Sequence, residues 1–241
     1  MIKNIFNKIK PSSNSDKDTS IKVNQKKVDN ITKHPDFPFL ISFPRTGSHW
    51  LRMIMELYFE KPSLVRIFYK QNKKAKSFTC YHRHDLDLEI QRNNVLYLYR
   101  HPVPTIYSQL NYHKEDFNND KNIIKWAELY GKHLSKWLIE ENFTEKKTIL
   151  TYEGLQNDIY TEFEKVCKHF DMELDEHKLG KILPLVSKEN LKKKTKHDKD
   201  VVNLEDSYKN NRKDFIENKS QLIFDTISRK NNNLRIYFNL A

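Results

Sequence analysis

The pattern of apolar and polar positions changes abruptly near Asp36. Before it, residues 1 to about 36 are rich in Lys, Ser, Asp and Asn with little apolar periodicity, and read as a flexible basic extension. After it, residues 37–241 read as a single domain. Phe37-Pro38-Phe39-Leu40-Ile41-Ser42-Phe43 is a short apolar run bounded by Pro44, which predicts a buried strand. A loop follows, then a helix whose Trp50, Leu51, Ile54, Leu57 and Tyr58 share one face. Further strands are predicted over Ser77–Tyr81, Val95–Tyr99 and Thr148–Tyr152. Helical spacing appears from about Thr105, where Pro102 and Pro104 have interrupted the chain, and over 121–142 and 157–171. The Lys-rich run 188–200 reads as a surface loop or helix end. Apolar strands alternating with helices predict a three-layer α/β/α fold with a central, mostly parallel sheet.

Composition narrows the partners. The 241 residues carry a formal net charge of +11, which favours an anionic ligand without choosing among nucleotide, acidic glycan, membrane surface and nucleic acid. The two cysteines, Cys80 and Cys167, sit in apolar surroundings far apart and read as buried reduced thiols. No apolar run approaches the roughly 18 residues of a membrane span. The first ten residues lack the uninterrupted apolar core of a secretory signal, so the expected location is cytoplasmic. Ile2, Ile5, Phe6 and Ile9 would line one face of a short helix suited to weak peripheral membrane contact.

Chemistry concentrates in the loop after the first strand. A strand that turns tightly into a helix presents unpaired backbone N–H groups and the positive end of the helix dipole to an anion. Gly47, the only glycine in the first 130 residues, lets such an anion approach the backbone. Arg45 adds a permanently charged fork, and Thr46 and Ser48 add hydroxyls. The nucleotide-triphosphate loop pattern, Gly-x-x-x-x-Gly-Lys-Ser/Thr, is absent. A second anion ligand, Arg100, ends the third strand at the edge where open α/β sheets bind ligands, and Ser108 lies eight residues on, near a helix start. His82 and His84 follow the second strand at the same edge; either suits a base acting near neutral pH.

Ser42-Phe43-Pro44-Arg45-Thr46-Gly47-Ser48-His49-Trp50-Leu51 resembles the 5′-phosphosulfate loop, roughly Tyr-Pro-Lys-Ser-Gly-Thr-x-Trp, of the sulfotransferases that use 3′-phosphoadenosine 5′-phosphosulfate (PAPS). Arg100 to Ser108 resembles the same family's 3′-phosphate segment, with Pro104 in place of the usual Asp. Tyr152-Glu153-Gly154-Leu155 resembles its Tyr-Glu-Asp-Leu stretch. The resemblance covers about residues 37–225. It implies a donor, PAPS, a product, 3′,5′-diphosphoadenosine (PAP), and no metal. Arg45 would meet the bridging and sulfate oxygens, Thr46, Gly47, Ser48 and His49 the 5′-phosphate, Trp50 and Tyr152 the adenine, and Arg100 and Ser108 the 3′-phosphate. The family's base follows the second strand in Lys-Thr-His or Lys-Ser-His, and counting from the strand start puts His82 there ahead of His84. The family's Arg-Lys-Gly segment has no clear counterpart; Lys209, Arg212 or Lys213 lies in the right region, and Ser187 is an accessory candidate.

The expected reaction is sulfuryl transfer to a hydroxyl or amine by in-line displacement with a His base. The acceptor is not legible: a saccharide, a lipid and a small alcohol all fit. Two other readings stay open: a nucleotide-dependent P-loop enzyme of another kind, disfavoured by the missing Lys-Ser/Thr pair, and a non-enzymatic polyanion binder. No nucleic-acid motif is present and no nucleic-acid partner is expected. The donor reading requires Arg45 and Arg100 to meet at one rim.

Overall fold

The computed structural model describes residues 25–65, 68–69, 75, 77–140, 144–194 and 206–238. Helix α1 (Gln25–Thr32) precedes strand β1 (Phe39–Ser42), helix α2 (Ser48–Tyr58), β2 (Tyr81–Arg83) and β3 (Asn94–Tyr99). Then come α3 (Pro102–His113), α4 (Asp120–Leu134) with a π-helical turn at Ser135–Ile139, and β4 (Lys146–Thr151). Helices α5 (Tyr152–Asn157), α6 (Ile159–His169), α7 (Glu176–Ile182), α8 (Lys188–Lys194), α9 (Asp206–Ser228) and α10 (Leu234–Tyr237) complete the chain, with a 3₁₀ turn at Leu183–Val186.

The four strands pair in parallel in the order β2-β1-β3-β4. Alternate side chains divide the core in two, as the period of a strand dictates. Phe39, Ile41, Val95 and Tyr97 face α3, α4 and α9, meeting Ile106, Leu110, Tyr130 and Ile223. Leu40, Leu96, Leu98 and Leu150 face α2, α6 and α7, meeting Leu51, Ile54, Phe163 and Leu179. The expected three-layer α/β/α architecture is therefore present. Both cysteines are buried and unpaired, as expected.

Three local expectations shift. Within the segment read as a flexible extension, residues 25–32 are helical and bury Val28, a single apolar anchor that periodicity does not reveal. The second strand starts at Tyr81, not Ser77. Thr79 N–H donates to Pro62 C=O at 2.9 Å and Cys80 C=O accepts from Leu64 N–H at 3.0 Å, so this stretch pairs with the preceding loop before the chain reaches β1. Helix α3 starts at Pro102, not Thr105. A proline's missing N–H costs nothing in a first turn, where N–H groups have no intrahelical partner, so the two prolines initiate the helix. Ser108 consequently sits well inside α3 rather than near its start. In the Lys-rich run, Lys188–Lys194 is helical, and 195–200 lie outside the described residues, as do Ile2, Ile5, Phe6 and Ile9. No described helix is long and apolar enough to cross a membrane.

Candidate functional site

The strand order creates the site. From β1 the chain runs out through α2 to β2 on one side, while β3 lies on the other and leads into α3 on the opposite face. At such a switch point the loops leaving neighbouring strands diverge and open a crevice at the carboxyl edge. Arg45 leaves β1 and Arg100 leaves β3. Both line one cavity of about 840 Å³, as do Gly47, Ser48, His49, Trp50, Ser108 and Tyr152. Thr46 is buried beneath them, its Oγ1 donating to Phe43 C=O at 2.8 Å, so it shapes the loop from below.

The loop's backbone is specialised. Arg45 and Gly47 occupy the left-handed region, with φ of 71° and 92°. Gly47 is the N-cap of α2 and has no side chain with which to cap the helix's first N–H groups. A Cβ on Gly47 would stand 2.4 Å from Tyr152 Cδ2, so the absent methyl lets the Tyr152 ring close on the loop. The Arg100 guanidinium carbon lies 4.3 Å from the Tyr152 ring centre.

The arginines are locked together. Arg100 Nη1 donates to Arg45 C=O at 3.2 Å, and Arg45 Nε donates to Ser108 Oγ at 3.2 Å. Tyr130 holds the Arg100 backbone from beneath, its hydroxyl accepting from N–H at 3.1 Å and donating to C=O at 2.7 Å. Arg100 Nε is buried with no hydrogen-bond partner among the described residues. Of the three cations raised for the carboxyl-terminal part, Arg212 lines the cavity, and its Nε is likewise buried and unpartnered among the described residues. Lys213 is exposed, and the Lys209 side chain lies outside the described residues. Ser187 and Lys188 line the cavity near the 3₁₀ turn.

The histidines separate. His82 lies within β2, registered beside Leu40, with Nε2 2.9 Å from Ser42 Oγ, and is not among the cavity's lining residues. His84, just past the strand, does line it. His84 Nδ1 lies 2.7 Å from Ser42 C=O, and a carbonyl only accepts, so Nδ1 carries the proton and Nε2 keeps a lone pair. Burial pushes the His84 imidazole below its ordinary pKa. The segment that carries it is clamped from α4. His133 Nε2 donates to His84 C=O at 2.8 Å, and Tyr97 hydroxyl donates to His133 Nδ1 at 3.1 Å. Buried Lys136, in the π-helical turn, caps Leu88 C=O at 2.6 Å and also Ile90 C=O. Asp85, at φ 37°, is buried and bound by both nitrogens of the Arg92 fork at 2.9 and 3.2 Å.

Sequence reasoning missed the wall of the cavity formed by Leu86, Gln109, Tyr112, His113 and Trp126. His113 stacks on Trp126 with ring centres 4.9 Å apart. The available signal was helical spacing from the candidate anion ligand: Tyr112 follows Ser108, and His113 follows Gln109, by four residues.

Comparison of folds gives this arrangement a context. A structure of mouse sulfotransferase SULT7A1 complexed with PAP matches with a TM-score of 0.53 at 16% identity, covering 82% of this chain and 89% of that one. A structure of retinol dehydratase in complex with androsterone and inactive cofactor PAP matches with a TM-score of 0.53 at 13% identity, covering 84% of each chain. The likeness to both is one of fold. No protein-family profile matches the sequence, and no curated protein does.

Two predictions follow from the loop and its clamp. Gly47→Ala must hold a left-handed φ and displace Tyr152, at a cost of roughly 1–3 kcal/mol in a urea melt. His133 is kept neutral by burial, which lowers its pKa to about 3. The same imidazole titrates near 6.5 when unfolded. Below that pH the unfolded chain takes a proton that the folded chain refuses, so stability falls with pH until about pH 3, by up to about 1.4 kcal/mol per pH unit. His133→Gln, which keeps a donor for His84 C=O, is expected to show a shallower loss between pH 6.5 and 4 in urea titrations.

Proposed function

We propose that this chain is a PAPS-dependent sulfotransferase. The observation that carries the proposal is the convergence of Arg45, Arg100 and Arg212 on one cavity at the carboxyl edge of two neighbouring parallel strands. Three guanidinium groups on one cavity favour an anion there, and two of them hold a buried donor with no partner among the described residues. A nucleotide with separate 5′ and 3′ anionic groups answers both facts. The residue set fits it: Gly47, Ser48 and His49 at the helix start for the 5′ end, Arg100, Ser108 and Arg212 for the 3′-phosphate, and Trp50 and Tyr152 beside the adenine. The fold likeness to PAP-bound proteins supports this reading at the level of the fold.

When bound, the donor supplies a sulfuryl group whose bond to the 5′-phosphate oxygen breaks as the acceptor oxygen or nitrogen bonds to sulfur. The protein's work is positioning and charge stabilisation. Arg45 offers its guanidinium to the oxygen that accumulates charge on the leaving phosphate. It remains protonated throughout, so it stabilises that oxygen without giving it a proton. His84 is the candidate base: Ser42 C=O fixes its tautomer, and Nε2 takes the acceptor proton as the new bond to sulfur forms. His82 is reassigned to supporting Ser42, because its Nε2 is engaged by the Ser42 hydroxyl.

Calorimetric titration with PAP tests the donor site. Arg100→Ala and Arg212→Ala each remove a charged hydrogen bond of about 1.5–3 kcal/mol, a loss of roughly ten- to a hundredfold in affinity. Absence of PAP binding by the unmodified protein would overturn the proposal. His84→Ala keeps PAP affinity and loses about 10²–10⁴ in turnover, measured with labelled PAPS against a mixed panel of alcohols, phenols and amines. His82→Ala is expected to lose far less. Because burial lowers the His84 pKa, its lone pair persists into mildly acid solution. Turnover should therefore fall on the acid side only below pH 6.5.

A further inference from the structure

The cavity extends past the nucleotide ligands along a wall for which the donor reading has no use. Gln109 lies on it, one residue after Ser108, and is only 3% exposed. Its amide nitrogen, which can only donate, lies 3.1 Å from His113 Nε2, so that nitrogen accepts and His113 carries its proton on Nδ1. His113 in turn stacks on Trp126, which hydrogen-bonds Glu115 at 2.8 Å. The carboxamide is thus held at one end. At the other, Gln109 Oε1 is buried without a hydrogen-bond partner among the described residues. A buried carbonyl of this kind is costly to leave unmet, and a cavity wall is where a ligand can meet it.

The surroundings define that ligand's chemistry. Arg45 lies against Tyr112, its guanidinium carbon 5.2 Å from the ring centre, so this wall adjoins the cation assigned to the transferred group. Leu86, Tyr112 and Trp126 are flat or apolar. Burial lowers the His113 pKa, leaving that ring uncharged at neutral pH, and the other cations lining the cavity are Arg100, Lys188 and Arg212. Apart from Arg45, nothing on this wall compensates an acidic acceptor.

We propose that Gln109 selects the acceptor: Oε1 receives a hydrogen bond from a second O–H or N–H of an uncharged, ring-bearing molecule whose ring lies along Leu86 and Tyr112 while its first hydroxyl or amine faces His84. The inference rests on the sulfotransferase reading and adds to it the group that a substrate must carry besides the one sulfated. A site built to pair a buried polar atom rejects the analogue that lacks the partner far more strongly than an apolar pocket rejects a missing methylene.

Resorcinol and 3-methylphenol test this, since they differ in whether the second substituent can donate. On the PAP-loaded full-length protein, ligand-observed NMR titration should find resorcinol bound at least tenfold more tightly. Gln109→Met, close in volume and without the carbonyl, should abolish that preference, bind PAP within twofold of the unmodified protein, and melt near it, because the unmet carbonyl it removes offsets the hydrogen bond that His113 loses. Failure of both phenols to bind at millimolar concentration, equal binding of the two, or the same preference in Gln109→Met would overturn the proposal. A clear fall in melting temperature for Gln109→Met would assign the residue to holding His113 instead. Loss of PAP binding in the unmodified protein is a separate result: it defeats the donor reading and takes this inference with it.

Discussion

The hydrogen bond from Arg100 Nη1 to Arg45 C=O joins the ends of β1 and β3, and the rest of the site is arranged around it. It places one cation against the backbone that carries another. Arg45 is bent back by its left-handed φ, so its own guanidinium reaches Ser108 on α3, while its carbonyl faces Arg100. Two positive side chains thus hang from adjacent strands with their backbones tied. Two like charges on one cavity disfavour each other, and an anion bound there would relieve that cost. Glu153, at the start of α5, accepts from His101 N–H at 3.1 Å and so steadies the residue that follows Arg100.

Helix α4 acts as the backing for this receptor. Trp126, Tyr130 and His133 recur on one face of it at the spacing of a helix, and each meets a different part of the site. Trp126 lies at the cavity wall, Tyr130 grips both backbone polar groups of Arg100, and His133 holds His84 C=O. The π-helical turn at its end then brings Lys136 under the carbonyls of 88 and 90. A π turn makes its hydrogen bond one residue longer than an α turn, as Glu140 N–H to Ser135 C=O does at 3.0 Å, and such insertions concentrate at functional sites. A buried lysine has a depressed affinity for its proton, and here burial lowers the Lys136 pKa in that sense. Its retention beneath a loop that carries a candidate base is explained by the carbonyls it satisfies.

Much of this was legible because its causes are local. The apolar run before Pro44 and the lone early glycine announce strand, loop and helix together. Arg100 is readable because it directly follows an apolar run that can only be a central strand. Where the reading slipped, the deciding force was either positional or distant. The same proline that breaks a helix interior starts one at Pro102, so periodicity alone put the start three residues late. Ser77–Tyr81 has the composition of a strand, yet Pro62 and Leu64 claim its backbone groups, which moves β2 to Tyr81–Arg83. With β2 at Tyr81–Arg83, His82 lies inside the strand beside Ser42, and His84 lies just past its end, at the carboxyl edge where it lines the cavity. Choosing Arg212 among the three candidate cations, and finding Gln109, were out of reach for a different reason. Each depends on the rotation of a helix fixed by contacts with elements distant in sequence.

The buried polar atoms without partners among the described residues carry the last step. Several, such as Trp137 Nε1 and His169 Nε2, do not belong to residues lining the cavity. Arg100 Nε, Arg212 Nε and Gln109 Oε1 all do. Their signs are ordered: two donors belong to residues assigned to the anionic nucleotide, and an acceptor belongs to the wall beyond it. A folded chain satisfies nearly all of its buried hydrogen-bonding groups, so unmet ones gathered on one cavity imply that something else meets them. A random polyanion would account for the two donors and leave the acceptor unexplained. A two-substrate site, anionic at one end and hydrogen-bond-donating at the other, accounts for all three.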